Sequence, residues 1–166
     1  MQEPSSLLDE IRDLLLNSAL SSNFTPVETL TIARYFNLNN IEQDQVIFKE
    51  GEKGAFMCLI VEGNVAVLKA NQENENIELA VLPKGRTIGE MAVLDGEHRS
   101  ASCRTATQCT LLTLSRDALD KMLQDSPYIA AKLIRAIAVS LSRRLRMADG
   151  KIVDYQIYGK IVDFQI

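Results

Sequence analysis

Ile88-Gly89-Glu90-Met91-Ala92-Val93-Leu94-Asp95-Gly96-Glu97-His98-Arg99-Ser100-Ala101-Ser102 stands just past the middle of the 166-residue chain. An acid follows a glycine, a small apolar block runs to Leu94, Asp95-Gly96 breaks it, and an arginine then sits among small residues. The pattern predicts one short helical turn, a loop and the start of a strand. A helix N-terminus carries unpaired backbone N–H groups and a positive dipole end, both suited to a phosphate. Arg99 offers a planar fork of donors for two phosphate oxygens. Ser100 adds a hydroxyl donor, and Ala92 and Ala101 leave room for a ligand. Glu90 is the odd member, because a carboxylate beside a phosphate repels it. It fits if it accepts hydrogen bonds from a sugar hydroxyl and also faces Arg99. The plainer alternative is a solvated turn with a surface arginine.

These residues resemble the phosphate-binding cassette of the cyclic nucleotide-binding domain family. That pattern runs roughly Phe-Gly-Glu-x-Ala-Leu-x, a short gap, then Arg, a small residue and Ala. Gly89, Glu90, Ala92, Leu94, Arg99 and Ala101 fall in register with it, and Ile88 stands where Phe is usual. The resemblance implies a binding module and not an enzyme, with no catalytic residues, no metal and no cofactor beyond the nucleotide ligand. It implies that Arg99 pairs with the cyclic phosphate, helped by Ser100 and by backbone N–H groups near Glu90, Met91 and Ala92. Glu90 would accept from the ribose 2′-OH, and Gly89 and Ala101 would complete the pocket. A serine after the arginine, as in bacterial catabolite activators of the family, favours cyclic AMP over cyclic GMP. The base is usually covered by the C-terminal helix. There the run Arg143-Arg144-Leu145 aligns with theirs, but Ala148-Asp149 replaces two hydroxyl residues, which leaves Arg135 as an alternative lid residue.

Composition sets the outer limits. Hydrophobic residues make up 46% and charged residues 24%, ordinary for a folded globular chain. A net charge of −4 gives no compositional support for nucleic acid as a partner. No apolar run approaches the roughly 20 residues needed to span a bilayer, so no membrane insertion is expected. Glu3, Asp9 and Glu10 with no basic segment argue against a signal peptide. Cys58, Cys103 and Cys109 lack metal-type spacing and read as reduced core residues. The expected location is cytoplasmic. A single histidine, His98, leaves a histidine-rich metalloenzyme without its ligands, and no Walker-type loop, nucleophile elbow or kinase motif is present.

In chain order, Ser6 with Asp9 marks a helix start, followed by apolar residues at helical spacing as far as Leu20. Thr25-Pro26-Val27-Glu28 marks a second, with Thr25 as N-cap, Pro26 at the first helical position and Glu28 closing a capping box, and this helix should reach about Tyr35. Ser21 lies where the family commonly has a large apolar residue. The period then changes to short β-type runs at 36–41, 45–49, 57–61, 64–69, 77–82, 104–107 and 109–114. Gly51, Gly54 and Gly63 are read as turn glycines. These strands predict a mainly β fold with flanking helices: a double-stranded β-helix or jelly roll, the cyclic nucleotide-binding β-roll. Ser115 caps a short helix to about Gln124, and Ser126-Pro127 opens a longer one with an apolar stripe at Ala130, Ile134, Ile137, Leu141 and Leu145. Arg143, Arg144 and Arg146 are read as last-turn cations that complement the helix dipole, with Gly150 ending the helix.

The expected division is a nucleotide-binding domain at 1–149 (helical lead-in 1–35, β-roll 36–115, C-terminal helices 116–149) and a tail at 150–166. Gly-Lys-Ile-Val-Asp-Tyr-Gln-Ile at 150–157 recurs at 159–166 with Phe164 for Tyr155, and its β-branched and aromatic content reads as strand-like. Only that tail follows the long helix, too short for a DNA-binding domain. The function expected is a stand-alone cyclic nucleotide sensor that signals to an effector protein of unknown identity by movement of its C-terminal helices. The alternative is an interaction or assembly protein with the same fold, its pocket empty or adapted to another nucleotide such as cyclic GMP or a cyclic dinucleotide. The long helix or the tail offers a route to a homo-oligomer.

Overall fold

Both N-terminal helices begin where local chemistry dictates. A computed structural model of the chain describes residues 6–163, with side chains through Lys151. Helix α1 (Leu7–Leu16) starts on a reciprocal box in which Asp9 N–H donates to Ser6 Oγ and the Asp9 carboxylate accepts from Ser6 N–H. Helix α2 (Pro26–Ala33) starts on the matching Thr25/Glu28 box. Helix α1 ends before Leu20, because Asn17 turns the chain into a 3₁₀ turn at Ala19–Ser21. Ser21 is buried there, and its hydroxyl donates to the Leu15 carbonyl. A hydrogen bond thus stands where the resemblance implies apolar contact.

Eight strands follow: β1 (Asn37–Ile41), β2 (Val46–Phe48), β3 (Phe56–Glu62), β4 (Val65–Ala70), β5 (Asn76–Leu82), β6 (Thr87–Ile88), β7 (Ser102–Thr105) and β8 (Cys109–Ser115). All pair antiparallel, in two four-stranded sheets ordered β1-β8-β3-β6 and β2-β7-β4-β5. Strands distant in sequence are neighbours in both sheets, which makes the fold a jelly roll with flanking helices, as its strand spacing predicts. The two-residue β6 is too short to leave a periodic signal. Strand β3 explains its own unbroken apolar run: Cys58 and Ile60 face the core between the sheets, whereas Met57 and Leu59 face the helices. On β8, Leu111 joins the inter-sheet core and Leu112 and Leu114 join the helical one. Gly51 and Gly63 have φ of +82° and +87° and serve as turns. Gly54 does not: a Cβ there would run into the Ala92 side chain, so it is small to let the β2–β3 loop abut the cassette.

Helix α3 (Glu90–Asp95) lies between β6 and β7. Ser115 Oγ accepts from Ala118 N–H at 3.0 Å and starts α4 (Arg116–Asp125). Helix α5 then runs from Pro127 to Asp163, 37 residues. Ala130, Leu133 and Ile137 are buried, Ile134 and Leu141 pack partly, and Leu145 is exposed, so the stripe leaves the roll after Leu141.

The helix overturns three expectations. Gly150 does not end it, the tail as far as Asp163 is helical and not strand-like, and Arg143, Arg144 and Arg146 lie mid-helix, beyond reach of a terminal dipole. Phe164, Gln165 and Ile166 lie outside the described residues. The physical reason is cooperativity: extending a formed helix adds a hydrogen bond per residue, whereas a strand needs a partner edge. β-branched residues lower helix propensity by only a few tenths of a kcal/mol, about 0.7 at most. Gly150 is the weak point, and a Cβ there meets open space. Gly150→Ala is therefore expected to raise far-UV helical signal and stabilise this segment by about 1 kcal/mol. Circular dichroism and hydrogen exchange across 146–158 check it; unchanged exchange in that window would contradict a continuous helix.

Candidate functional site

The guanidinium of Arg99 is the most unusual group in the roll. The residue is only 5% exposed, and no carboxylate among the described residues lies within ion-pairing distance. Its Nη1 donates to the Gly89 carbonyl at 3.1 Å and its Nη2 to the Phe56 carbonyl at 2.7 Å. The guanidinium carbon lies 3.9 Å from the centroid of Phe48 and 4.8 Å from that of Phe56, and these rings meet edge to face. The backbone is pinned too, with Arg99 N–H donating to Glu52 O and Gly51 N–H to Arg99 O. Burial pulls the pKa of Arg99 below its usual value, against the weaker opposing pull of Cys58, Cys103 and Glu52. A buried cation held by carbonyls and ring faces, without a counter-ion, is prepared for an anion.

Gly89 makes the close approach feasible. Its φ is +73°, and a Cβ on it would collide with Arg99 Nη1. It leads into α3, whose Glu90 is 2% exposed. One Glu90 oxygen pairs with the Arg144 guanidinium from α5, and the other, Oε2, lacks a hydrogen-bond partner. Glu90 was expected to face Arg99; it pairs with Arg144 instead. Burial, and then the nearby charge of Arg86, lower the pKa of Arg144.

A cavity of about 180 Å³ collects Gly89, Glu90, Met91, Ala92, Arg99, Ser100 and Ala101, all expected at the site. Met91 and Ser100 are exposed at its rim and Ala92 is buried. The structure brings Arg144, not Arg135, to this cavity. Arg135 lines a larger cleft that shares Arg144 with this cavity; of the two, Arg144 is the one that α5 carries to Glu90. Phe48 and Phe56 were not anticipated as partners of Arg99, since only folding brings both rings against it. Arg144 had a visible signal in the Arg143-Arg144-Leu145 run. His98 is exposed beside the cavity, paired through backbone with Lys53. Among the described residues no group of three His, Cys, Asp or Glu is arranged to hold a metal, and no helix is long and apolar enough to cross a membrane.

The sequence profile of the cyclic nucleotide-binding domain matches residues 38–126, more than half the chain, and the chain belongs to that family. It is 32% identical over 132 residues to the cyclic AMP receptor protein of Thermus thermophilus, covering 80% of this chain and 59% of that protein. It is 28% identical over 117 residues to the cAMP-activated global transcriptional regulator CRP of Escherichia coli, covering 70% of this chain and 54% of that one. The chain thus spans between half and two thirds of these curated relatives. Among solved structures, a cyclic nucleotide-binding domain from Methylobacillus flagellatus superposes with a TM-score of 0.77 at 28% identity, covering 89% of this chain and 83% of that one. The Thermus thermophilus catabolite activator protein superposes with a TM-score of 0.72 at 30% identity, covering 81% and 62%.

The three cysteines are free and buried. Burial pushes the Cys58 thiol up to about 11 and the Cys103 thiol up to about 12, from an ordinary value of 9.0. Raised folded-state values favour folding at neutral pH and lose that contribution as pH rises. Above about pH 9 the unfolded chain releases protons that the folded chain still holds, so stability should fall by about 1.4 kcal/mol per pH unit per thiol until the folded values are reached. Urea unfolding at pH 8 and pH 10.5 measures the slope, which Cys103→Ala should reduce; an unaltered slope would remove Cys103 as its source.

Proposed function

We propose that this chain is a cyclic nucleotide sensor, a binding module without catalysis, that takes cyclic AMP in preference to cyclic GMP. Arg99 carries the proposal, as a buried guanidinium with no carboxylate partner at the wall of a cavity. The cyclic phosphate supplies the missing negative charge, with a bidentate contact from the fork and a hydroxyl contact from Ser100. Glu90 accepts from the ribose 2′-OH. Arg144 holds one Glu90 oxygen and leaves Oε2 for the ribose hydroxyl, so the nucleotide and α5 meet on one carboxylate. Nucleotide binding is thereby linked to the position of α5, and a partner protein that contacts α5 reads the change as a population shift. The names of the relatives, a cyclic AMP receptor and a cAMP-activated regulator, support the choice of ligand.

Calorimetric titration with cyclic AMP and cyclic GMP tests this directly. Wild type is expected to bind cyclic AMP at micromolar concentration or tighter, and cyclic GMP more weakly. Removing one side of a buried charge-assisted contact costs about 2–5 kcal/mol, so Arg99→Ala should weaken binding by roughly 30-fold to several thousand-fold. Arg99→Lys keeps the charge and loses the fork, and should fall between. Absence of heat with both nucleotides sinks the proposal.

A second reading, self-association, rests on α5 beyond the roll, where Leu145 is 64% and Met147 59% exposed. A chain that pairs through this segment should become smaller in oligomeric size when 150–166 is deleted, as measured by light scattering after size exclusion. A size unchanged by the deletion removes the tail from any interface.

A further inference from the structure

A larger cleft, about 770 Å³, lies between α5, the 3₁₀ turn and the loop from β5 to β6, and meets the cassette cavity at Arg144. Five cations line it, Arg86, Lys132, Arg135, Arg143 and Arg144, and among the described residues no acid does. This is a concentrated positive site in a chain whose net charge is −4. Two of the five already have partners. Lys132 pairs with Glu28 at 2.8 Å and lies over the Phe24 ring, and Arg144 pairs with Glu90. Arg86, Arg135 and Arg143 are exposed and make no side-chain hydrogen bond or ion pair among the described residues. The dipole of α5 does not account for Arg143, which lies far from the helix end. Leu20, Leu82, Val139 and Met147 supply an apolar wall in the same cleft. Its volume falls in the range of about 300–1,000 Å³ common to small-molecule sites, which combine apolar walls with a few placed polar groups.

We propose that this cleft is a second ligand site, specific for a small organic polyphosphate. Its phosphates are met by the forks of Arg86, Arg135 and Arg143, and its apolar or planar part lies on Leu82, Val139 and Met147. Crowded arginines without acids repel one another until an anion enters, and a ligand with several phosphates matches several forks at once. The site stands whether or not the cassette takes a cyclic nucleotide, since none of the three free arginines lines the cassette cavity.

The test is calorimetry with ATP and with inorganic pyrophosphate on the full chain carrying Arg99→Ala, at about 150 mM salt so that diffuse attraction is screened. ATP is expected to bind at one site per chain, and pyrophosphate more weakly, because it lacks the part that covers the apolar wall. Combined Arg86→Glu and Arg143→Glu, both at exposed positions, should weaken ATP by about tenfold or more. Should that chain fail to fold, Arg143→Gln removes a single fork and should still weaken ATP by a few-fold. No ATP binding to the Arg99→Ala chain overturns the site, as does equal ATP affinity after charge reversal. Equal affinity for ATP and pyrophosphate overturns the role of the apolar wall. Cyclic AMP titrated into wild type reports separately on the cassette, so failure of one site is not mistaken for failure of the other.

Discussion

Taking a guanidinium out of water costs several kcal/mol unless its donors and its charge are answered. In this roll Arg99 is answered only partly, by two carbonyls for the donors and by the faces of Phe48 and Phe56 for the charge. Much else in the roll accommodates that arrangement. Phe48 ends β2 and Phe56 begins β3, so the intervening loop has to bring both rings to one point. Gly54 lets that loop lie against Ala92, and Gly89 turns into α3 with no side chain to strike the fork. The cassette is therefore a feature of two loops and a helical turn held by one buried cation.

The second constraint is a buried carboxylate. Burying a carboxylate without a partner is costly, and Glu90 finds its partner on α5. This makes the helix part of the site and not merely a cover for it. The same helix is tied back to the lead-in through Lys132 and Glu28, and Glu28 also closes the Thr25 capping box. Where α4 ends and α5 begins, Tyr35 donates to Asp125 at 3.0 Å. A change at Glu90 thus has a covalently continuous, hydrogen-bonded route to the N-terminal helices, through elements that pack on the outer face of the β3–β8 sheet.

The strand runs other than β6, the helix N-caps and the grouping of the cassette residues were legible in the chain. Capping boxes, turn glycines and alternating strands depend on residues within a few positions of each other, so they survive without knowledge of the fold. The same is true of Gly89, Glu90, Arg99 and Ala101, whose spacing alone places them around one turn. Misjudgements fell where local preference met a longer-range effect. Gly150 carries a stop signal and the tail a strand signal, but both yield to the propagation of a helix already nucleated at Pro127. The role of Arg143, Arg144 and Arg146 changed with it, from dipole partners to side chains projecting from mid-helix. Gly54 looked like a turn and proved to be a contact.

The sequence by itself determined a mainly β roll between helices and the spacing that gathers Gly89, Glu90, Arg99 and Ala101 at one cavity, because periodicity, caps and motif spacing are short-range properties. Only the tertiary structure decided which rings stack on Arg99, that Arg144 and not Arg135 reaches Glu90, and that Arg86, Arg135 and Arg143 share a cleft with an apolar wall. Those choices depend on which face of α5 meets the roll. Helix rotation is set by packing over the whole molecule, and no local pattern encodes it.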